Sequence, residues 1–148
     1  MSNLIQAARD QVAELTQNAY EKAAAAGALP AGAVVRGNVD IPKEVSHGDY
    51  ASSFAMAGAK TLHMAPRAIA QVILDHLDLE GSYFQRAEIA GPGFLNFYLG
   101  SRWYGEVLSD IEREGAAYGQ CDEGHGEKVM VEFVSANPTG PMHMGNAR

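Results

Sequence analysis

The chain has almost no cysteine, a shortage of positive charge and no long apolar run, and each absence narrows what it can do. Its single cysteine, Cys121, cannot close an internal disulfide, so a reducing, cytosolic setting is expected. Nowhere in the 148 residues is there an apolar stretch of about 18 residues, the length a membrane-spanning helix needs. The first residues, MSNLIQAARDQVAELT, put Arg9, Asp10 and Glu14 where a secretory leader would be apolar, so none is expected. Lysine and arginine total 11 against 18 acidic residues, a formal net charge of −7. General nucleic-acid binders are usually basic, so a broad electrostatic grip on nucleic acid is not expected. Local recognition of RNA stays open, because stacking and base-edge contacts need no large basic field. His47, His63, His76 and His125 are scattered without metal-ligand spacing, and no metal site is predicted.

What is present reads as one folded domain followed by the start of another. The length allows one real core plus a fragment of a second. Ser2 caps a first helix with Leu4, Ala8, Val12, Leu15 and Ala19 near one face. That helix ends in an alanine run, with Gly27 suited to the left-handed capping position. The segment LPAGAVVRGNVDIPKEV is punctuated by glycine and proline, with AVVRGNV a short strand candidate. In HGDYASSFAMAGAKTL, Asp49 is placed to cap a helix beginning near Tyr50 and packing through Phe54 and Leu62. Pro66 then opens a helix carrying Ile69, Val72, Ile73 and Leu77.

SYFQRAEIAGPGFLNFYLG predicts a hairpin turning at Gly91-Pro92-Gly93. In its second strand Leu95, Phe97 and Leu99 point one way and Phe94, Asn96 and Tyr98 the other. Burying the first set leaves an aromatic–polar–aromatic row toward solvent or a partner. Ser101 caps a last helix with Trp103, Val107, Leu108 and Ile111 apolar, ending near Gly115. AAYGQCDEGHGE, residues 116–127, is a polar, glycine-rich linker. Beyond it VMVEFVSA is almost continuously apolar, the pattern of a strand buried on both faces in a parallel sheet. The expected fold class is α+β. Residues 1–115 hold a small antiparallel sheet packed by about four helices, and residues 128–148 hold the first strand and loop of a Rossmann-type domain. That strand has no parallel neighbour here, so disorder or non-native pairing is expected beyond about residue 120.

After that strand come a Pro/Gly loop and then His143-Met144-Gly145-Asn146, expected at a helix start. This is a nucleotide-site layout, because a parallel strand delivers its loop to the edge where open α/β sheets bind ligands. The free N–H groups and positive dipole end of the following helix suit phosphate. Gly145, lacking a Cβ, lets a ring or phosphate approach the backbone. His143 is able to donate to a phosphate oxygen and stabilise charge that develops in a transition state.

The whole string EFVSANPTGPMHMGNAR resembles the first signature of arginyl-tRNA synthetases, class I enzymes whose ATP-binding motif is written His-Ile-Gly-His. The stretch SANPTGP is more specific to that family than the tetrapeptide. HGDYAS, APRAIAQ and EIAGPGFLNFYL resemble the family's N-terminal additional domain, so the likeness runs through the chain in order. It implies a two-step reaction. Arginine and ATP, with magnesium accompanying the ATP, form arginyl-adenylate, and the arginyl group then passes to the terminal ribose of its tRNA. No prosthetic group is implied.

The resemblance assigns ATP contacts to His143, Gly145 and Asn146, and arginine contacts to Glu132, Ser135, Asn137 and His143. Glu132 matches a position near the arginine side chain, where a carboxylate pairs well with a guanidinium. Asn146 departs from the motif's second histidine, and an amide cannot become cationic. The additional domain implies contact with the tRNA D-loop through Phe94, Asn96 and Tyr98, an aromatic stacking on a splayed base while an amide reads its edge. The expected protein is a cytoplasmic monomer with tRNA, arginine and ATP as partners and no membrane association. This piece of it is expected to be inactive alone. Two rival readings are an H-x-G-H nucleotidyltransferase, which leaves SANPTGP and the GPGFLNF hairpin unexplained, and a stand-alone RNA- or protein-binding module.

Overall fold

Small and apolar side chains recurring on one stripe make residues 4–25 helical. In the computed structural model, which describes residues 4–121, 124–132 and 140–141, this is α1, Leu4–Ala25. Its buried stripe is Ala8, Val12, Thr16, Ala19, Tyr20 and Ala23, and the Thr16 hydroxyl is satisfied by the Val12 carbonyl at 2.7 Å. The alanine run closes as expected. Gly27 N–H donates to the Ala24 carbonyl and Ala28 N–H to that of Ala23, the paired bonds of a Schellman end.

The chain divides into two units, Met1–Tyr118 and Gly119–Arg148. In the first, α1 is followed by β1 (Val39–Asp40), a single 3-10 turn (Val45–His47), β2 (Tyr50–Ser52), α2 (Phe54–Leu62), α3 (Pro66–Asp75), β3 (Phe84–Ala90), β4 (Phe94–Leu99) and α4 (Ser101–Glu114). The four strands form one antiparallel sheet in the order β1-β2-β4-β3. The predicted hairpin forms one side of it, β4 inside and β3 at the edge, with Ala90 opposite Phe94 and Ile89 opposite Leu95. Leu95, Phe97 and Leu99 are buried, together with Val12 of α1, Leu62 of α2 and Ile69 and Ile73 of α3. Phe84 and Phe97 meet edge-on at 5.4 Å, and Tyr50 packs edge-on against Phe84 at 5.9 Å. Burial of each such side chain stabilises the fold by roughly 1.5–3 kcal/mol.

Three expectations need correction. Asp49 caps no helix: its N–H donates to the Phe97 carbonyl at 2.9 Å, and its carboxylate accepts from Leu99 N–H at 2.8 Å. Tyr50–Ser52 is a strand because β4 has an open edge there, with Tyr50 opposite Phe97 and Ser52 opposite Leu95. The helix starts only at Phe54. The AVVRGNV candidate shrinks to Val39–Asp40, because β2 is only three residues long and supports no longer partner. Ser101 lies inside α4, whose N-cap is Gly100. Pro66 does open α3, as proline at a first helical position should.

In the second unit the described residues form neither helix nor strand, and Val129, Met130 and Val131 are exposed. The strand expected at VMVEFVSA is therefore not seen over residues 128–132. A parallel strand exists only through its neighbours, and none is present among the described residues. No helix among those residues is long and apolar enough to cross a membrane.

Candidate nucleic-acid interface

The pleat that buries Leu95 and Phe97 turns Phe94, Asn96 and Tyr98 to the opposite face of the sheet. Register then fixes their neighbours. Asn96 lies between Ala51 of β2 and Glu88 of β3, and Ala51 lies opposite Asp40 of β1. Ala51 carries only a methyl group, so the sheet surface is low beside Asn96. A groove of about 420 Å³ opens there, with Asn96 and Ala51 lining it. The segment containing Pro42, Lys43, Glu44 and His47 forms one wall, and the hairpin turn at Ala90, Gly91 and Pro92 forms the other. The volume falls within the range of small-ligand pockets.

The expected outward row is therefore uneven. Phe94 is 36% exposed at the groove, whereas Asn96 is only 2% exposed. Asn96 was expected to face solvent or a partner, and it lies on the floor of the groove beside the 42–47 wall. An amide there presents both donors and an acceptor.

Tyr98 is occupied differently. Its hydroxyl hydrogen-bonds the Glu88 carboxylate and lies 3.1 Å from the Ser46 carbonyl, while the Arg86 guanidinium sits 3.8 Å from its ring centroid. The bond to Glu88 is the main reason its phenol is held above the ordinary tyrosine pKa, with desolvation adding to the effect. These contacts cover one ring face and tie the 3-10 turn to the sheet, so Tyr98 braces the wall.

Two glycines allow this closure. Gly48 has φ +81°, and a Cβ built on it would come 2.7 Å from the Phe97 carbonyl oxygen. Gly93 has φ +144° and would place a Cβ 2.9 Å from the Pro66 carbonyl carbon, so it lets the hairpin turn press on the start of α3.

Sequence reasoning missed Lys43, His47, Asp40 and Ala51. The only signal for them was the pairing of Ala51 with Asn96, hidden because Tyr50–Ser52 reads as the start of a helix. The other predicted site residues belong to the second unit. Glu132 lies in the second unit, exposed and outside any regular element. Ser135, Asn137, His143, Gly145 and Asn146 lie outside the described residues. Among the described residues no group of three or more histidine, cysteine or acidic side chains is arranged to hold a metal ion.

Residues 3–99, the segment that builds the sheet and the groove, match the family described as arginyl tRNA synthetase N terminal domain. The chain belongs to this arginyl-tRNA synthetase N-terminal domain family. The arginine–tRNA ligase of Acetivibrio thermocellus is 48% identical over all 148 residues, and that of Caldanaerobacter subterraneus is 44% identical. In each case the chain covers 26% of the relative, so it spans about a quarter of the length of the ligases it resembles. The arginyl-tRNA synthetase structure from Thermus thermophilus superposes with a TM-score of 0.51 at 28% identity, over 70% of this chain and 15% of that one. The structure from Plasmodium falciparum gives 0.55 at 15% identity, over 70% of this chain and 18% of that one, a likeness of fold. Every groove-lining residue lies inside the family-matching segment, while α4 and the second unit lie beyond it.

Proposed function

We propose that this chain is the tRNA-recognising N-terminal part of an arginine–tRNA ligase. A base splayed out from the tRNA D-loop enters the groove, stacks on Phe94 and has its edge read by Asn96, while Tyr98 supports the wall. The observation that carries this reading is an amide held on the floor of an open groove, with an exposed aromatic ring two residues away on the same strand face. Stacking plus edge contacts also suits a chain of net charge −7, which lacks the basic field for binding through phosphates alone.

The test is titration of an arginine tRNA transcript against the wild type and Phe94→Ala. Loss of one base stack, roughly 1–3 kcal/mol, weakens binding by about 5- to 150-fold. The melting temperature should fall only modestly, because the ring is partly exposed and the buried core does not depend on it. Equal binding by both proteins removes this role.

In the whole ligase the reading assigns His143, Gly145 and Asn146 to ATP, which enters as its magnesium complex. Glu132, Ser135, Asn137 and His143 are assigned to arginine. The Glu132 carboxylate pairs the substrate guanidinium, and the His143 imidazole donates to a phosphate oxygen as arginyl-adenylate and pyrophosphate form. Asn146 supplies hydrogen bonds but no positive charge. The setting proposed is a cytoplasmic monomer. With a quarter of the relatives' length, the chain alone is expected to catalyse no arginine-dependent ATP–pyrophosphate exchange, and detectable exchange above background would contradict this.

A further inference from the structure

The last helix carries apolar side chains on its outward side as well as its inward one. An amphipathic helix ordinarily puts its apolar stripe on the core and its charges outside. On the inward side of α4 Asp110 is buried, and Trp103, Glu106, Val107 and Glu114 are half-buried, with Trp103 packed against the core. Polar contacts add to that packing. Arg102 donates to the Gly81 carbonyl, and Trp103 Nε1 donates to the Leu4 carbonyl at 3.2 Å. Tyr104, Leu108 and Ile111, spaced by four and three and so on one stripe, are 52%, 63% and 39% exposed.

We propose that this stripe is the docking face for the part of the same polypeptide that follows Arg148. The inference rests on the ligase reading above. Two observations select that occupant. α4 starts just past residue 99, where the N-terminal-domain match stops, so the stripe lies at the exit from that domain. The matching ligases are also about four times as long as this chain, so a large body of protein follows the N-terminal domain. Apolar side chains exposed together at such a junction are the usual mark of a covered surface.

Hydrogen exchange across α4 tests this, in the 148-residue chain and in the protein extended through its remaining length. Backbone amides from Gly105 to Glu114 are expected to exchange about tenfold or more slower in the longer protein, and Leu108→Asp should return them to the rate of the short chain. In the short chain the same variant should leave the melting temperature unchanged, because Leu108 is already in solvent, so a failure to fold would be recognised. Equal α4 exchange in the two wild-type proteins overturns the proposal. So does a short chain that dimerises and becomes monomeric on Leu108→Asp, since the occupant is then a second copy. An unprotected α4 in a ligase that still loses tRNA affinity on Phe94→Ala defeats the docking alone. A reading frame that closes at Arg148 defeats the docking and the ligase reading together.

Discussion

Phe97→Ala is expected to lower the free energy of unfolding by roughly 3–5 kcal/mol, the range for truncating a fully buried aromatic. Phe97 is completely buried on β4, paired with Tyr50 on one side and Ala87 on the other, with the Phe84 ring packed edge-on against its own. Its loss leaves a cavity in the buried core that cannot be refilled without moving the strands paired on either side. Small domains are stable by only about 5–15 kcal/mol, so urea denaturation should show the midpoint falling steeply. Its backbone carbonyl also accepts from Asp49 N–H, so the groove should fail along with the core. A shift below about 1 kcal/mol would mean that the sheet is not packed around this ring.

Gly48→Val is the second large effect. At φ +81° a β-branched residue is strained by roughly 1–3 kcal/mol. A Cβ there also meets the Phe97 carbonyl oxygen at 2.7 Å and the Tyr98 ring at 3.3 Å, an overpacking penalty of roughly 1–3 kcal/mol. Together these make about 2–6 kcal/mol, and the way to relieve them is to lift the 42–48 segment off the sheet. Groove and stability should therefore be lost together, seen as a lower melting temperature and weaker tRNA binding. Gly91→Ala separates strain from contact. Gly91 has φ +52° but nothing within 4 Å of a built Cβ, so only a backbone cost of about 1–2 kcal/mol is expected. Equal melting shifts for the two variants would show that the close approach at Gly48 is not what restricts that position.

Much of the architecture could be read from local signals. Gly91-Pro92-Gly93 between two alternating runs marked the hairpin, and the helical spacing of Ala8, Val12 and Ala19 marked α1. What escaped was long-range. Three residues cannot display a period, so Tyr50–Ser52 looked like the lead-in to a helix until β4 offered an edge to pair with. Asn96 shows the limit most clearly. Alternation correctly placed it on the outer face, but it says nothing of the 42–47 segment folding back over that face, held by the Tyr98 contacts to Ser46 and Glu88. In α4 the apolar spacing was legible, yet the side on which the rest of the domain lies was not, because periodicity defines a stripe and not its partner.

The longer elements, the hairpin's inner face and the family likeness thus follow from residue order, because they depend on neighbours within a few positions of one another. Which face is covered, and by what, depends on segments tens of residues apart finding each other. That decided the groove around Asn96 and the outward stripe of α4. Both arise where chain-distant surfaces meet or fail to meet, and no local propensity encodes that.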